Sequence, residues 1–403
     1  MELFWLEHKK LWRKKTVKIC VLLCFVYCVI FGSILSFQWF CFGSSDDYTS
    51  AFGNNFDGYT VIKDSQEYAL SFGGELTDET LQQIVSDYQQ MEADGMEEEL
   101  EKTDWQIVNS WLGTLYPELQ DTSNYKTMIS YVDPDKLTGF YERRQQVLDE
   151  FLEVSGQVGA EKEYLYQIER KVEKPFHYEW VEGWSTLLGS MAADLGVVMA
   201  LFLGIVLSSL FAGEWHDNTS TLVLTTRNGW GKIALAKILT GLAFTVELFA
   251  LLAVSNVISQ LFFMGTAGWD MPIQNIKLIA VAPMNMLQAE IYEYAFVLLG
   301  AIGFAGIVMF ISAAVKNNVL TLLLSLAVVY GPMMIAEYLP YGMQKALDLI
   351  PLVGSSTDIF RTNTFRIFGK LIWSPYLLIT IPVLIGILCM PFAIKSWSRR
   401  MKA

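Results

Sequence analysis

The chain has 403 residues, 53% of them hydrophobic, a mean hydropathy of +0.33 and a formal net charge of −13. That composition is too apolar for an ordinary soluble protein of this length, and no nucleic-acid partner is expected of so acidic a chain. The charge is also unevenly placed: residues 42–182 hold 30 of the 42 acidic and 10 of the 29 basic side chains, a net of −20 against +7 for the rest.

Apolar runs near 16–40, 185–213, 233–264, 291–315, 318–338 and 372–394 are each long enough for a bilayer crossing of roughly 20 residues. In lipid only helices or a closed barrel can satisfy the backbone, and the period-2 alternation of a barrel is missing. The expected fold is an all-α polytopic membrane protein. It has six transmembrane helices and a mainly α-helical extracellular domain, 42–182, between spans one and two.

In chain order, residues 1–15 read as a cytoplasmic amphipathic helix at the membrane surface. Phe4, Trp5, Leu11 and Trp12 lie on one side, with Lys9, Lys10 and Arg13 on the other. The run 16–40 follows as an uncleaved anchor, since no small-x-small site comes after its apolar core. Cys20, Cys24 and Cys28 share one face of it at i, i+4, i+8 and read as small packing residues rather than a metal strip, with no His or acid beside them. Cys41 alone lies near the outer face, so the acidic domain has no internal disulfide. Within that domain Thr77-Asp-Glu-Thr80 starts a helix toward Glu92, and a second is expected from Gly95 through Lys102. Asp133-Pro134 starts a third over 134–155, and a fourth covers about 160–174. Residues 265–290 read as an outer loop. The Pro- and Gly-broken stretch 339–370 reads as a short outer or re-entrant helix.

Lys9, Lys10, Arg13, Lys14, Lys15 and Lys18 flank the first run, and Lys395, Arg399, Arg400 and Lys402 follow the last. The positive-inside rule therefore places both termini, the tail 395–403 included, in the cytoplasm and residues 42–182 outside, in a multi-pass cell-membrane protein. Arg361, Arg366 and Lys370 fall on the outer side and are read as headgroup contacts. Two acids are read inside spans, Asp194 and Glu247; with Asn256 and Gln260 they are candidates for a polar translocation path, a proton or cation site, or buried hydrogen-bonded groups between helices.

Spans two and three are joined by the polar segment 213–232. It carries Gly213-Glu214, then Thr221-Leu222-Val223-Leu224, then Arg227 and Lys232, and the pattern runs on to Lys237 at the start of the next span. Asp217 or Asn218 can cap a short helix there, leaving Leu222, Val223 and Trp230 as apolar knobs. This ordered pattern resembles the cytoplasmic coupling loop of the ABC-type 2 transporter permeases, the transmembrane subunits of bacterial ABC exporters. The resemblance covers the membrane part, about 1–40 and 184–400. It implies coupling to an ATPase through Glu214, Leu222, Leu224 and Arg227. It also implies a second permease half, as homodimer or heterodimer, a cytoplasmic ABC ATPase subunit, and membrane lipid around the spans. ATP and Mg are implied for the partner subunit, with no cofactor bound by this chain. Peptide, antibiotic, lipid and cation substrates all occur in such a family.

The residues themselves carry no nucleotide-binding loop: Gly231-Lys232 runs into Ile233 with no glycine five positions before Gly231. There is no His-Glu-x-x-His and no nucleophile elbow, so the chain is expected to be a non-catalytic subunit, not an enzyme. The other class open to it is a membrane-anchored sensor or scaffold whose outer domain binds an extracellular ligand. An associated ATPase separates the two.

Overall fold

A computed structural model describes residues 2–42, 62–63, 66–67, 69, 73–96, 105–121, 126–188, 192–216, 231–354, 360 and 362–399; for 28–29, 31–42, 192–194, 216 and 399 it describes the backbone only. The protein is mostly helical, with two small two-stranded sheets among the described residues. It begins with α1 (Glu2–Arg13) and α2 (Lys15–Phe42). Strand β1 (Gly74–Glu75), α3 (Asp78–Ala93), α4 (Gln106–Leu115), α5 (Phe140–Val154), α6 (Ala160–Glu169), β2 (His177–Tyr178) and α7 (Glu182–Thr186) form an acidic domain. The long helices α8 (Ala192–His216), α9 (Lys232–Met264), α10 (Met286–Ala314) and α11 (Asn318–Ile335) follow. After α12 (Tyr341–Leu347) and the hairpin β3 (Thr364–Ile367) and β4 (Lys370–Trp373), α13 (Ser374–Arg399) closes the chain.

Among the described residues five segments are long and apolar enough to cross a bilayer: Leu195–Trp215, Lys232–Met264, Met286–Ala314, Asn318–Tyr338 and Ser374–Ser398. This is a multi-pass membrane protein. The spans pack mainly as α10 against α13 and α8, with α2 along α9. The α10–α13 contact depends on missing side chains: a Cβ on Gly386 would sit 2.5 Å from the Gly303 Cα, and one on Gly306 2.7 Å from the Gly386 Cα. Small residues let helices approach where lipid supplies no hydrophobic drive. Gly306→Val should therefore push α13 off α10 and lower the yield of folded protein in detergent. Gly331→Ala, where nothing lies within 4 Å of the new Cβ, should leave it unchanged. Size-exclusion profiles of the two variants check this.

The acidic domain is organised by capping and by one antiparallel closure. Thr77 caps α3, its hydroxyl accepting from the Thr80 amide at 3.2 Å. β1 pairs with β2, Gly74 opposite Tyr178, so the chain leaves the domain beside its described start. The helix expected over 134–155 is split. Pro134–Lys136 is a 3-10 turn, and α5 begins only after Gly139, which has φ 71. A left-handed residue cannot continue a helix, and it favours glycine. Asp78 stabilises the restart, its two carboxylate oxygens accepting from the Gly139 and Phe140 amides at 2.6 and 2.8 Å. The helix expected over about 160–174 ends at Glu169. The helix expected from Gly95 to Lys102 falls largely outside the described residues.

The stretch 265–290 is not a free outer loop. Ile273, Leu278, Ala280, Val281 and Ala282 are buried in the same hydrophobic cluster as Leu81, Trp111, Phe140 and Leu165. Its last residues also belong to α10, which begins at Met286 rather than 291. The Asn285 side chain accepts from the Gln288 amide at 2.9 Å and Gln288 Oε1 accepts from the Asn285 amide at 3.2 Å, a capping box. The stretch 339–370 contains the helix α12 and also a hairpin, β3–β4. Arg366 of that hairpin has a protein partner. Its Nη2 donates to Glu161 Oε1 at 2.6 Å, tying the hairpin to α6. Arg361 lies outside the described residues.

Candidate functional site

α8 ends with Glu214 two residues before its terminus. A carboxylate at a helix C-terminus faces the negative end of the dipole, and Glu214 is only 4% exposed. Two lysines from other elements compensate it. Lys10 of α1 donates to Glu214 Oε1 at 2.6 Å, and Lys237 of α9 donates to the same oxygen at 2.8 Å. Lys237, 2% exposed, also donates to Glu7 Oε2 at 2.8 Å. Two acids and two lysines thus lock α1, α8 and α9 together. Lys14 adds a bond to the Ser209 hydroxyl at 3.0 Å.

Aromatic packing extends this end of the bundle. Phe211 and Trp215 of α8 meet Trp397 of α13 at 5.4 and 6.2 Å between ring centroids, and the Lys316 ammonium lies 4.4 Å from the Trp215 ring centroid. Both described termini of the chain therefore sit at one end of the bundle, the end from which residues 217–230 leave and return. That segment starts and finishes on helix ends fixed by the charged network. A buried ion-pair cluster contributes little net stability but is costly to break, so its main effect is to set position.

Of the sequence-derived site residues, Glu214 is in this network. Leu222, Leu224 and Arg227 lie outside the described residues, as does the side chain of Asp194. Glu247 is on α9 with a side chain 43% exposed. It is held by α1: Trp12 Nε1 donates to Glu247 Oε2 at 3.0 Å, and His8 Nε2 is 3.1 Å from Oε1. The first helix therefore does more than lie on a surface, with Leu11 2% exposed in the span core. Its polar and aromatic groups close onto α8 and α9. Glu7 was not singled out from sequence, although an acid in a basic amphipathic helix is a signal for a specific partner.

Asn256 and Gln260 are buried farther along α9. Asn256 is 19 positions beyond Lys237, about 28 Å along a helix, close to one hydrocarbon thickness. It bonds a different helix from the one that holds Glu247. Its Nδ2 donates to the Tyr294 hydroxyl of α10 at 3.3 Å. Two acids missed in the sequence lie on that same helix: Glu290, 4% exposed, and Glu293, 0% exposed. Glu290 falls one residue before the apolar run 291–315, and Glu293 sits inside its first turn. The Asn285-x-x-Gln288 cap is the signal that moves the helix start to Met286 and brings Glu290 into it.

Among the described residues no group of three or more His, Cys, Asp or Glu could hold a metal ion. No protein-family model, curated protein or solved structure matches this chain.

Proposed function

We propose that the chain is the transmembrane permease subunit of an ATP-binding cassette exporter, with ATP hydrolysed by a separate cytoplasmic subunit. The observation that carries this reading is the charged network of Glu7 and Lys10 around the buried Glu214 and Lys237. A motor that pushes on a membrane bundle needs a loop whose ends do not yield. The segment with the coupling-loop pattern springs from such ends. Leu222, Leu224 and Arg227 are its docking residues in this reading, and Glu214 holds their base.

Six crossings are part of the proposal. α2 has 28 residues, about 42 Å of helix, and Val17, Cys20 and Cys24 pack in the span core with α8 and α9. With the five apolar segments it makes an even number, in agreement with two termini at one end. The Lys/Arg flanks put that end in the cytoplasm and the acidic domain outside. The Asn318–Tyr338 helix is only 17% buried over its most apolar stretch, which leaves a broad face for lipid and for a second permease half.

The orientation is tested by single cysteines on a cysteine-free background in intact cells. Leu100→Cys should react with an impermeant thiol reagent and Asn228→Cys should not; the reverse pattern would overturn the topology. The coupling assignment is tested by Leu222→Asp with Leu224→Asp, which places unpaired charge in the proposed contact. Insertion should survive while the ATPase subunit is lost on affinity purification; full co-purification would refute it.

A further inference from the structure

The acidic domain and the span bundle have separate hydrophobic cores. Met264, Met286 and Ala289 belong to the first, and Leu252, Phe296 and Val297 to the second. On α9 the residues between these cores include Asn256 and Gln260, and on α10 they include Glu290, Glu293 and Tyr294. A buried polar layer thus separates two apolar ones. Its acids stand on one helical stripe, at i, i+3 and i+4 with the tyrosine.

Two groups of this layer carry buried oxygens without a hydrogen bond of ordinary geometry among the described residues. Both Glu290 oxygens are buried without a hydrogen bond of ordinary geometry, although the Tyr294 hydroxyl lies beside them. The Asn256 side chain, 3% exposed and on a different helix, is bonded through its Nδ2 to that same hydroxyl and leaves its Oδ1 buried and unbonded. Buried acceptors of this kind cost free energy unless something donates to them or binds them. The unsatisfied atoms of Glu290 and Asn256 are all oxygens. They come from carboxyl and amide groups, with a phenol oxygen between, which is the donor chemistry of a hard cation. The acids number two rather than the larger oxygen set of a calcium or magnesium cage.

We propose that Glu290, Asn256 and Tyr294, with Glu293 one turn along, form a binding site for an alkali-metal cation at the junction of the spans and the acidic domain. The site stands on its own geometry and needs no ATPase. If the permease reading also holds, the site lies between the two helices that connect the acidic domain to the charged base. An ion bound there would then tie α9 to α10 at that junction.

The test uses the full chain in lipid nanodiscs at fixed pH. The melting midpoint is followed by tryptophan fluorescence during titration with sodium chloride or potassium chloride. Choline chloride keeps the ionic strength constant. The expected result is a saturable rise with at least one alkali cation. Glu290→Gln should abolish the rise, and Tyr294→Phe should weaken half-saturation several-fold. If Glu290→Gln does not fold, Tyr294→Phe and Asn256→Ala decide. An unsaturable salt response, or wild-type saturation in these variants, overturns the proposal. Because the assay contains no nucleotide or partner, its failure would leave the exporter reading standing, and failure of that reading would leave this result interpretable.

Discussion

Arg144→Met should cost the acidic domain about 3–5 kcal/mol, the range for breaking a buried charge pair. Arg144 is fully buried. Its Nη1 donates to Glu169 Oε1 at 2.6 Å, its Nε to the Leu278 carbonyl at 2.6 Å and its Nη2 to the Ala280 carbonyl at 3.2 Å. The guanidinium also lies over the Phe176 ring at 5.0 Å. One side chain therefore fastens α5 to α6 and to the segment between α9 and α10. Methionine fills the space but donates to none of these acceptors. The neighbour Arg143 provides the control. Its pair with Glu118 is exposed, so Arg143→Met should cost about 1 kcal/mol or less. Urea midpoints from tryptophan fluorescence should separate the two; equal shifts would show that Arg144 is not the fastening.

The same cluster sets an acid limit. Burial pushes the Glu169 carboxyl up, but hydrogen bonds from Lys174 and Arg144 outweigh it and hold the group below the usual carboxylate range. A lowered folded-state value means that the ionised form stabilises the fold. That contribution is complete above the ordinary carboxylate range and is lost as pH falls through the lowered value. Glu169→Gln should flatten the acid limb of the stability profile.

Glu214→Leu should release α1 from the bundle. It takes away the shared acceptor of Lys10 and Lys237 and leaves the buried Lys237 with Glu7. The expected cost is about 3–5 kcal/mol. The direct readout is Leu11→Cys on a cysteine-free background. Position 11 is shielded in the native chain and should become reactive to a thiol reagent when Glu214 is replaced. Lys10→Met should do much less, since the Lys10 side chain is 51% exposed. Replacing Glu214 and Lys237 together by leucine should be milder than either single change, because the two most buried charges leave together and Glu7, 17% exposed, can be reached by water. If all three variants leave Leu11→Cys unreactive, the network does not hold α1.

The helical character of the chain was legible because apolar run length is a strong signal, and the Thr77 start was legible because its cap is local. The Gly139 break was not. It depends on Asp78, 61 positions away, turning its carboxylate to the start of another helix. Glu214 stood out because a charge at the end of an apolar run needs an explanation, and its pairing with a base follows from that need. Which bases answered, and that Glu7 would join them, depended on how α1 folds back, which no periodicity encodes. The burial of 273–282 was equally hidden: its apolar residues have no regular period, and only the acidic domain supplies their partners. Glu290 was missed at a boundary, since an apolar window excludes a charge that a capping signal would have included, and Glu293 was passed over within the run.

The most direct measurement is Mg-ATP hydrolysis by the affinity-purified full chain, taken from its native membrane with whatever subunit accompanies it. The account predicts a stoichiometric partner with a phosphate-binding loop and vanadate-sensitive hydrolysis. It also predicts that Glu214→Leu sharply reduces hydrolysis while the chain remains inserted. A chain that purifies intact from those membranes with no nucleotide-binding subunit and no hydrolysis would contradict it.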